Sequence, residues 1–160
     1  MLPLHLPQLA LFALLASFAV HAATDFAPTL DREFRAAWVA TVYNIDWPSR
    51  AGVDLDAQRA ELRNLFQVAQ DTGLNAIIFQ IRPAADALYE SAYEPWSPHL
   101  TGKMDLDPGY DPLSFAIEEA HFRGMELHAW FNPFRAQTNI KKERSANHIA
   151  NTRADWVKQY

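Results

Sequence analysis

The chain has 160 residues, a formal net charge of −5, no cysteine and no extended lysine/arginine block. That is enough for one ordinary domain, and the charge argues against nucleic acid as the main partner. The missing cysteine excludes thiol catalysis, a disulfide framework and a thiolate metal site, while 49% apolar residues argue against disorder.

The first 22 residues read as a signal peptide. Leu9 to Val20 is apolar but too short to span a bilayer comfortably. Val20-His21-Ala22 offers small residues for signal peptidase, with a mature start near Ala23. Before the run stand only the α-amino group and His5 as basic groups, so an uncleaved anchor or a misplaced start stays open as the alternative. With no cysteine after the run, lipoprotein attachment is not available. The expected destination is periplasmic or secreted, with no integral membrane segment after cleavage.

Residues 23–32 read as a linker, and 33–160 as one partial domain. Glu33 to Tyr43 is apolar and β-rich, a first strand that ends in Asn44-Ile45-Asp46-Trp47-Pro48-Ser49. Asp54 or Asp56 caps a helix whose Leu55, Leu62, Leu65, Phe66 and Ala69 share one face. Gly73 ends it, and a second strand runs from Asn75 to Arg82. Pro83 to Tyr110 has no clear periodicity and holds Tyr89, Tyr93, Trp96 and Tyr110 among prolines and glycines. Structureless connections this long are uncommon and often functional. Asp111-Pro112 opens another helix, with aspartate as N-cap and proline at its first position. Gly124 closes it, and a third strand runs from Glu126 to Asn132. Beyond Arg135 the chain is polar, and His148 to Tyr160 extends without a resolved pattern.

Strand, helix, strand, helix, strand implies parallel pairing with right-handed crossovers. The long loops follow the strands, so elaboration sits at the C-terminal ends, where α/β proteins place their sites. In the second strand Ile77, Phe79 and Ile81 point one way and Ile78, Gln80 and Arg82 the other. In the third, Leu127, Ala129 and Phe131 oppose Glu126, His128, Trp130 and Asn132. One face suits helices; the other is large and polar, which fits a barrel interior better than a doubly wound sheet. A complete barrel needs about 250 residues. The fold class expected is α/β, the N-terminal portion of a (β/α)8 TIM barrel, with about three βα units and incomplete.

Several blocks carry a resemblance. They are Phe34-Arg35-Ala36-Ala37-Trp38-Val39-Ala40-Thr41-Val42, Asn44 to Pro48, Phe79 to Ala87, Glu94-Pro95-Trp96-Ser97, Gly109 to Leu113 and His128 to Arg135. Together they resemble the glycosyl hydrolase-like family 10 proteins, a secreted bacterial group that includes a division-site enzyme acting on peptidoglycan glycan strands. The resemblance implies a TIM-barrel glycosidase acting on peptidoglycan or another polysaccharide; no cofactor is expected. A non-catalytic glycan-binding protein and an inactive truncated product are the alternatives.

Glycosidases use two carboxylates about 5–10 Å apart. Asp46 and Asp86 are the catalytic candidates within these residues, although the principal acids of such barrels often sit on later strands. Asp46 reads either as an acid or sugar-orienting group, or as an Asx-turn. Trp47 and Trp96 read as stacking platforms for sugar faces or as loop anchors. Arg82 reads as a ligand for a carboxylate or as an ion pair with Asp86. Trp130 is assigned to the pocket floor, and Asn132 and Arg135 to hydrogen bonding at the mouth. Gln80 reads as an interior hydrogen bonder. Glu126 and His128 stand two apart without a third ligand placed by spacing, so an interior network is preferred and no metal site is assigned. Lys141 to Arg144 reads as a solvated face.

Overall fold

A computed structural model describes residues 33–139 and 144–158. The chain divides into a segment ending at Glu33 and a compact unit from Phe34 to Tyr160; the fold below is that of the second. The signal-peptide and linker readings lie outside the described residues, as do Lys141, Lys142 and Glu143 of the basic run.

Three parallel strands form one sheet in the order β1-β2-β3: β1 Ala36–Val39, β2 Ala76–Arg82 and β3 Glu126–Phe131. Helix α1 (Leu55–Asp71) connects β1 to β2. A four-residue helix α2 (Pro98–Thr101) and helix α3 (Pro112–Phe122) connect β2 to β3. Helix α4 (Ile149–Thr152) lies in the segment after β3. No helix among the described residues is long and apolar enough to cross a membrane.

Both long helices start and stop for local reasons. The Asp54 carboxylate accepts the Ala57 amide at 2.9 Å, and that of Asp111 accepts the Ser114 amide at 2.8 Å. Each thus satisfies a first-turn donor that has no partner inside the helix. At the other end the two helices share one device. Gly73 at φ 78° donates to the Gln70 carbonyl, and Leu74 donates to Ala69. Gly124 at φ 68° donates to His121, and Met125 to Ala120. This is the Schellman arrangement, which needs a left-handed residue and satisfies the last carbonyls. It turns the chain at once into the next strand.

The core lies on one side of the sheet. Leu62, Phe66 and Ala69 of α1 and Ala116 and Ala120 of α3 pack with Val39, Ile77, Phe79 and Ile81. Each large apolar side chain so buried contributes about 1.5–3 kcal/mol. Ala76, Ile77, Ile78 and Phe79 register with Glu126, Leu127, His128 and Ala129. The polar strand positions therefore share the opposite side. There Phe34 meets His128 edge-on at 5.2 Å and Trp38 meets Trp130 at 4.9 Å, and Trp38 remains 64% exposed. The expected division of faces is present. It is incomplete at β3, where Ala129 and Phe131 are exposed rather than covered by a helix.

Candidate functional site at the strand ends

A cleft of about 770 Å³ opens where the chain leaves the strands. Tyr43 and Asn44 come from the β1 exit, Ala84 and Asp86 from the β2 exit, and Gln137 and Thr138 from the segment after β3. Ala51, helix α2 with the turn that follows it to Asp105, and Arg144, Ser145 and His148 supply the remaining walls.

The β1 exit is fixed by Gln80. Its Oε1 accepts the amides of Thr41 and Val42, each at 3.0 Å, while Thr41 Oγ1 donates to the Gln80 carbonyl at 2.9 Å. A buried side chain of β2 thus continues the sheet pattern past the point where β1 stops. Tyr43 and Asn44 then adopt φ 56° and 54°. Such values are uncommon for side-chain-bearing residues, and here Asn44 Nδ2 donates to the His99 carbonyl at 2.8 Å.

The β2 exit is held by Asp86, which is buried. Its Oδ1 accepts the Ala84 amide at 2.7 Å, and its Oδ2 accepts Ser97 Oγ at 2.6 Å. Ala87 and Trp96 form a bridge nearby. The long connection is therefore folded back on itself rather than structureless. Ser97 also caps α2, with proline in its first turn.

Arg82, Trp130 and Asn132, expected at the pocket, do not line this cleft; Arg82 instead makes a fork. Its Nε reaches the Glu94 carboxylate at 2.7 and 2.9 Å, a terminal nitrogen bonds the same carboxylate, and Nη1 donates to the Asn132 carbonyl at 2.6 Å. The ion-pair alternative named Asp86; the partner is Glu94. Asn132 is held from both sides: Trp130 Nε1 donates to its Oδ1 at 2.9 Å, and its Nδ2 donates to the Pro83 carbonyl at 3.0 Å. Arg82, Trp130 and Asn132 are thus brought together, with Glu94 as the member that sequence reasoning missed. Tyr89 stands near this group: burial and then the Glu94 charge raise its pKa, against the lowering effect of Arg82.

The remaining candidates are placed as follows. Asp46 is exposed and its Oδ2 accepts the Ala40 amide at 2.7 Å. It does not line the cleft that Asp86 lines, so the two carboxylates are not brought to one wall. Trp47 is 1% exposed, packs on Phe79 at 5.6 Å and donates Nε1 to the Gln58 carbonyl at 3.0 Å. It is a core anchor, and no sugar can stack on it. Trp96 is half-buried and lines a separate, shallow depression with Glu90, Asp107, Tyr110 and Asp111. The Arg135 side chain is exposed, and its amide donates to the Asn132 carbonyl at 3.3 Å. Glu126 and His128 pair with each other at 2.9 Å on the open face of the sheet.

Two buried histidines, His99 and His148, face the cleft. Neither was selected from the sequence. Ser97-Pro98 was a legible helix start that would have placed His99; nothing local marked His148. Burial lowers the pKa of His148, opposed by the backbone of Ala84 and the charge of Asp86, while Arg144 lowers it further. The walls carry both signs of charge, with Lys103 and Arg144 against Asp86 and Asp105.

These features define a parallel α/β protein with its cavity at the C-terminal ends of the strands. The family described as glycosyl hydrolase-like 10 matches residues 33–160, and the chain belongs to that family. Glycosyl hydrolase YngK of Bacillus subtilis (strain 168) is 52% identical over 132 residues, which is 81% of this chain and 26% of that protein. Glycosyl hydrolase DigH of Escherichia coli (strain K12) is 42% identical over 114 residues, 67% of this chain and 26% of that protein. The chain therefore spans about a quarter of the length of these relatives. An α-L-fucosidase of Bacteroides thetaiotaomicron aligns with a TM-score of 0.37 and 12% identity over 76% of this chain and 32% of its own, too slight a likeness to define the fold.

Proposed function

We propose that the chain is the front part of a secreted glycoside hydrolase acting on peptidoglycan glycan strands or a related polysaccharide. One observation carries the reading: in a member of a glycosyl hydrolase-like family, the loops leaving all three strands reach a single cleft at their C-terminal ends. That is where barrel enzymes keep their chemistry. The reading takes these residues as about three strand–helix units of a (β/α)8 barrel. The two-faced sheet supports it: helices cover one side, and the other carries Trp38, His128 and Trp130, as an inner wall near a barrel mouth would. Export to the periplasm or the outside follows from reading residues 1–22 as a signal peptide.

Hydrolysis of a glycosidic bond needs a carboxylic acid and a second carboxylate. Asp86 is the carboxylate nearest this role, and the other is assigned to strands beyond these three. A second reading, a glycan-binding protein without catalysis, is favoured by one observation. Asp46 and both oxygens of Asp86 already serve as acceptors inside the scaffold. The test is incubation of the full-length protein with peptide-free glycan strands. New reducing ends support the hydrolase. Retention on purified sacculi with no product selects the binder, and the absence of both product and retention overturns the polysaccharide reading.

A further inference from the structure

Ser145 and His148 bring the segment after β3 back to the cleft. His148 is fully buried, and its Nδ1 accepts the Ala150 amide at 3.2 Å. In a neutral imidazole an accepting Nδ1 leaves the proton on Nε2. That Nε2–H makes no hydrogen bond among the described residues, and neither does Ser145 Oγ, which is buried too. The backbone of Ala84 and Ala136 and the Asp86 carboxylate act on the ring without supplying Nε2 a bond of good geometry. The two atoms belong to one turn, closed by the His148 amide on the Ser145 carbonyl at 3.2 Å.

An unmet buried polar group costs about 1–3 kcal/mol, and native proteins carry few of them. Two on one turn at the wall of one cleft call for a common explanation. The turn meets the facing loop through two long contacts among the described residues. Ser145 N–H points at the Met104 sulfur at 3.5 Å, and Asn147 Nδ2 at Asp105 at 3.4 Å. Both contacts lie at the long end of the hydrogen-bond range, so they hold the turn to the facing loop only weakly.

We propose that Ser145 Oγ and His148 Nε2–H form a donor pair for uncharged oxygens of a saccharide, hydroxyl or amide carbonyl, met directly or through one bridging water. This rests on the glycan reading of the cleft. The chemistry selects the acceptor. Burial favours the neutral imidazole, which offers an anion no charge-assisted bond, and on the cleft walls Lys103 and Arg144 are balanced by Asp86 and Asp105, so there is no net positive field to draw one in. A water relay would serve nearly as well as direct contact.

The test uses the full-length protein and titration calorimetry with peptide-free glycan oligosaccharides. Ser145→Ala removes a hydroxyl without a bonded partner. It is expected to weaken binding about three- to tenfold with the unfolding midpoint unchanged. His148→Phe weakens binding by at least as much, and His148→Gln, which keeps an N–H donor, by less. Wild-type affinity in both Ser145→Ala and His148→Phe overturns the donor pair and leaves the glycan reading intact. A lowered midpoint with unchanged affinity assigns both residues to the scaffold and also overturns it. A wild-type protein that binds no glycan removes the donor pair and the glycan reading together.

Discussion

Arg82 illustrates how a strand-end residue acquires its neighbours. Its guanidinium is planar and forked, so one side chain can grip Glu94 twice and still reach the Asn132 carbonyl. The pair ties the long connection to the end of β3. Its two side chains are 13% and 18% exposed, between the regime of surface pairs and that of buried ones. A double-mutant cycle of Arg82→Met and Glu94→Gln, read by chemical unfolding, is expected to give a coupling of about 1–3 kcal/mol. A coupling near zero would make the fork ornamental. His148 gives a second expectation. Its folded pKa lies below the unfolded value, so the unfolded chain takes up the proton first as pH falls. Its contribution is fully present above about pH 6.5 and is lost as pH drops below that. The unfolding free energy of wild type should therefore fall more steeply on acidification than that of His148→Gln. Equal slopes would show that burial does not set the histidine's charge.

At the scale of elements, caps and core stripes decide the outcome. Replacing Asp54 by Ala should cost about 1 kcal/mol, because the Ala57 amide loses its acceptor. Gly73→Ala meets no atom within 4 Å, so its cost is that of φ 78° alone, about 1 kcal/mol. Phe66→Ala empties the space between α1 and the sheet and should cost about 3–5 kcal/mol. Denaturant midpoints at constant slope check all three.

Much of this was legible beforehand. Asp54, Gly73, Asp111, Pro112 and Gly124 are local signals, and each marks a helix end that depends on its own neighbours. The alternation of strands two and three gave the two faces, because a strand's period is fixed by backbone geometry. What stayed hidden depends on contacts far apart in sequence. Arg82 finds Glu94 rather than Asp86 only because Ala87 and Trp96 pair and fold the connection back. Trp47 goes inward, where its ring packs on Phe79 and its Nε1 finds the Gln58 carbonyl, both supplied by other elements. His148 reaches the cleft through a segment with no periodic pattern at all.

For the molecule as a whole, the distribution of charge and surface matters most. Among the described residues, β1 and β3 each pair with β2 alone, so both edges are open, and aromatic rings stand on the bare face. Open edges and apolar faces promote association. Residues 33–160 expressed alone should bind a hydrophobic dye and self-associate, whereas the full-length protein should do neither. The central claim is that the cleft at the strand ends is where glycan binds. Hydrogen–deuterium exchange of the full-length protein, with and without peptide-free glycan oligosaccharides, tests it most directly. The account predicts slowed exchange in residues 43–44, 84–86, 98–105 and 144–150, with the rear ends of the strands unchanged. Slowed exchange confined to other surfaces, with these four stretches unaffected at saturating glycan, would contradict it.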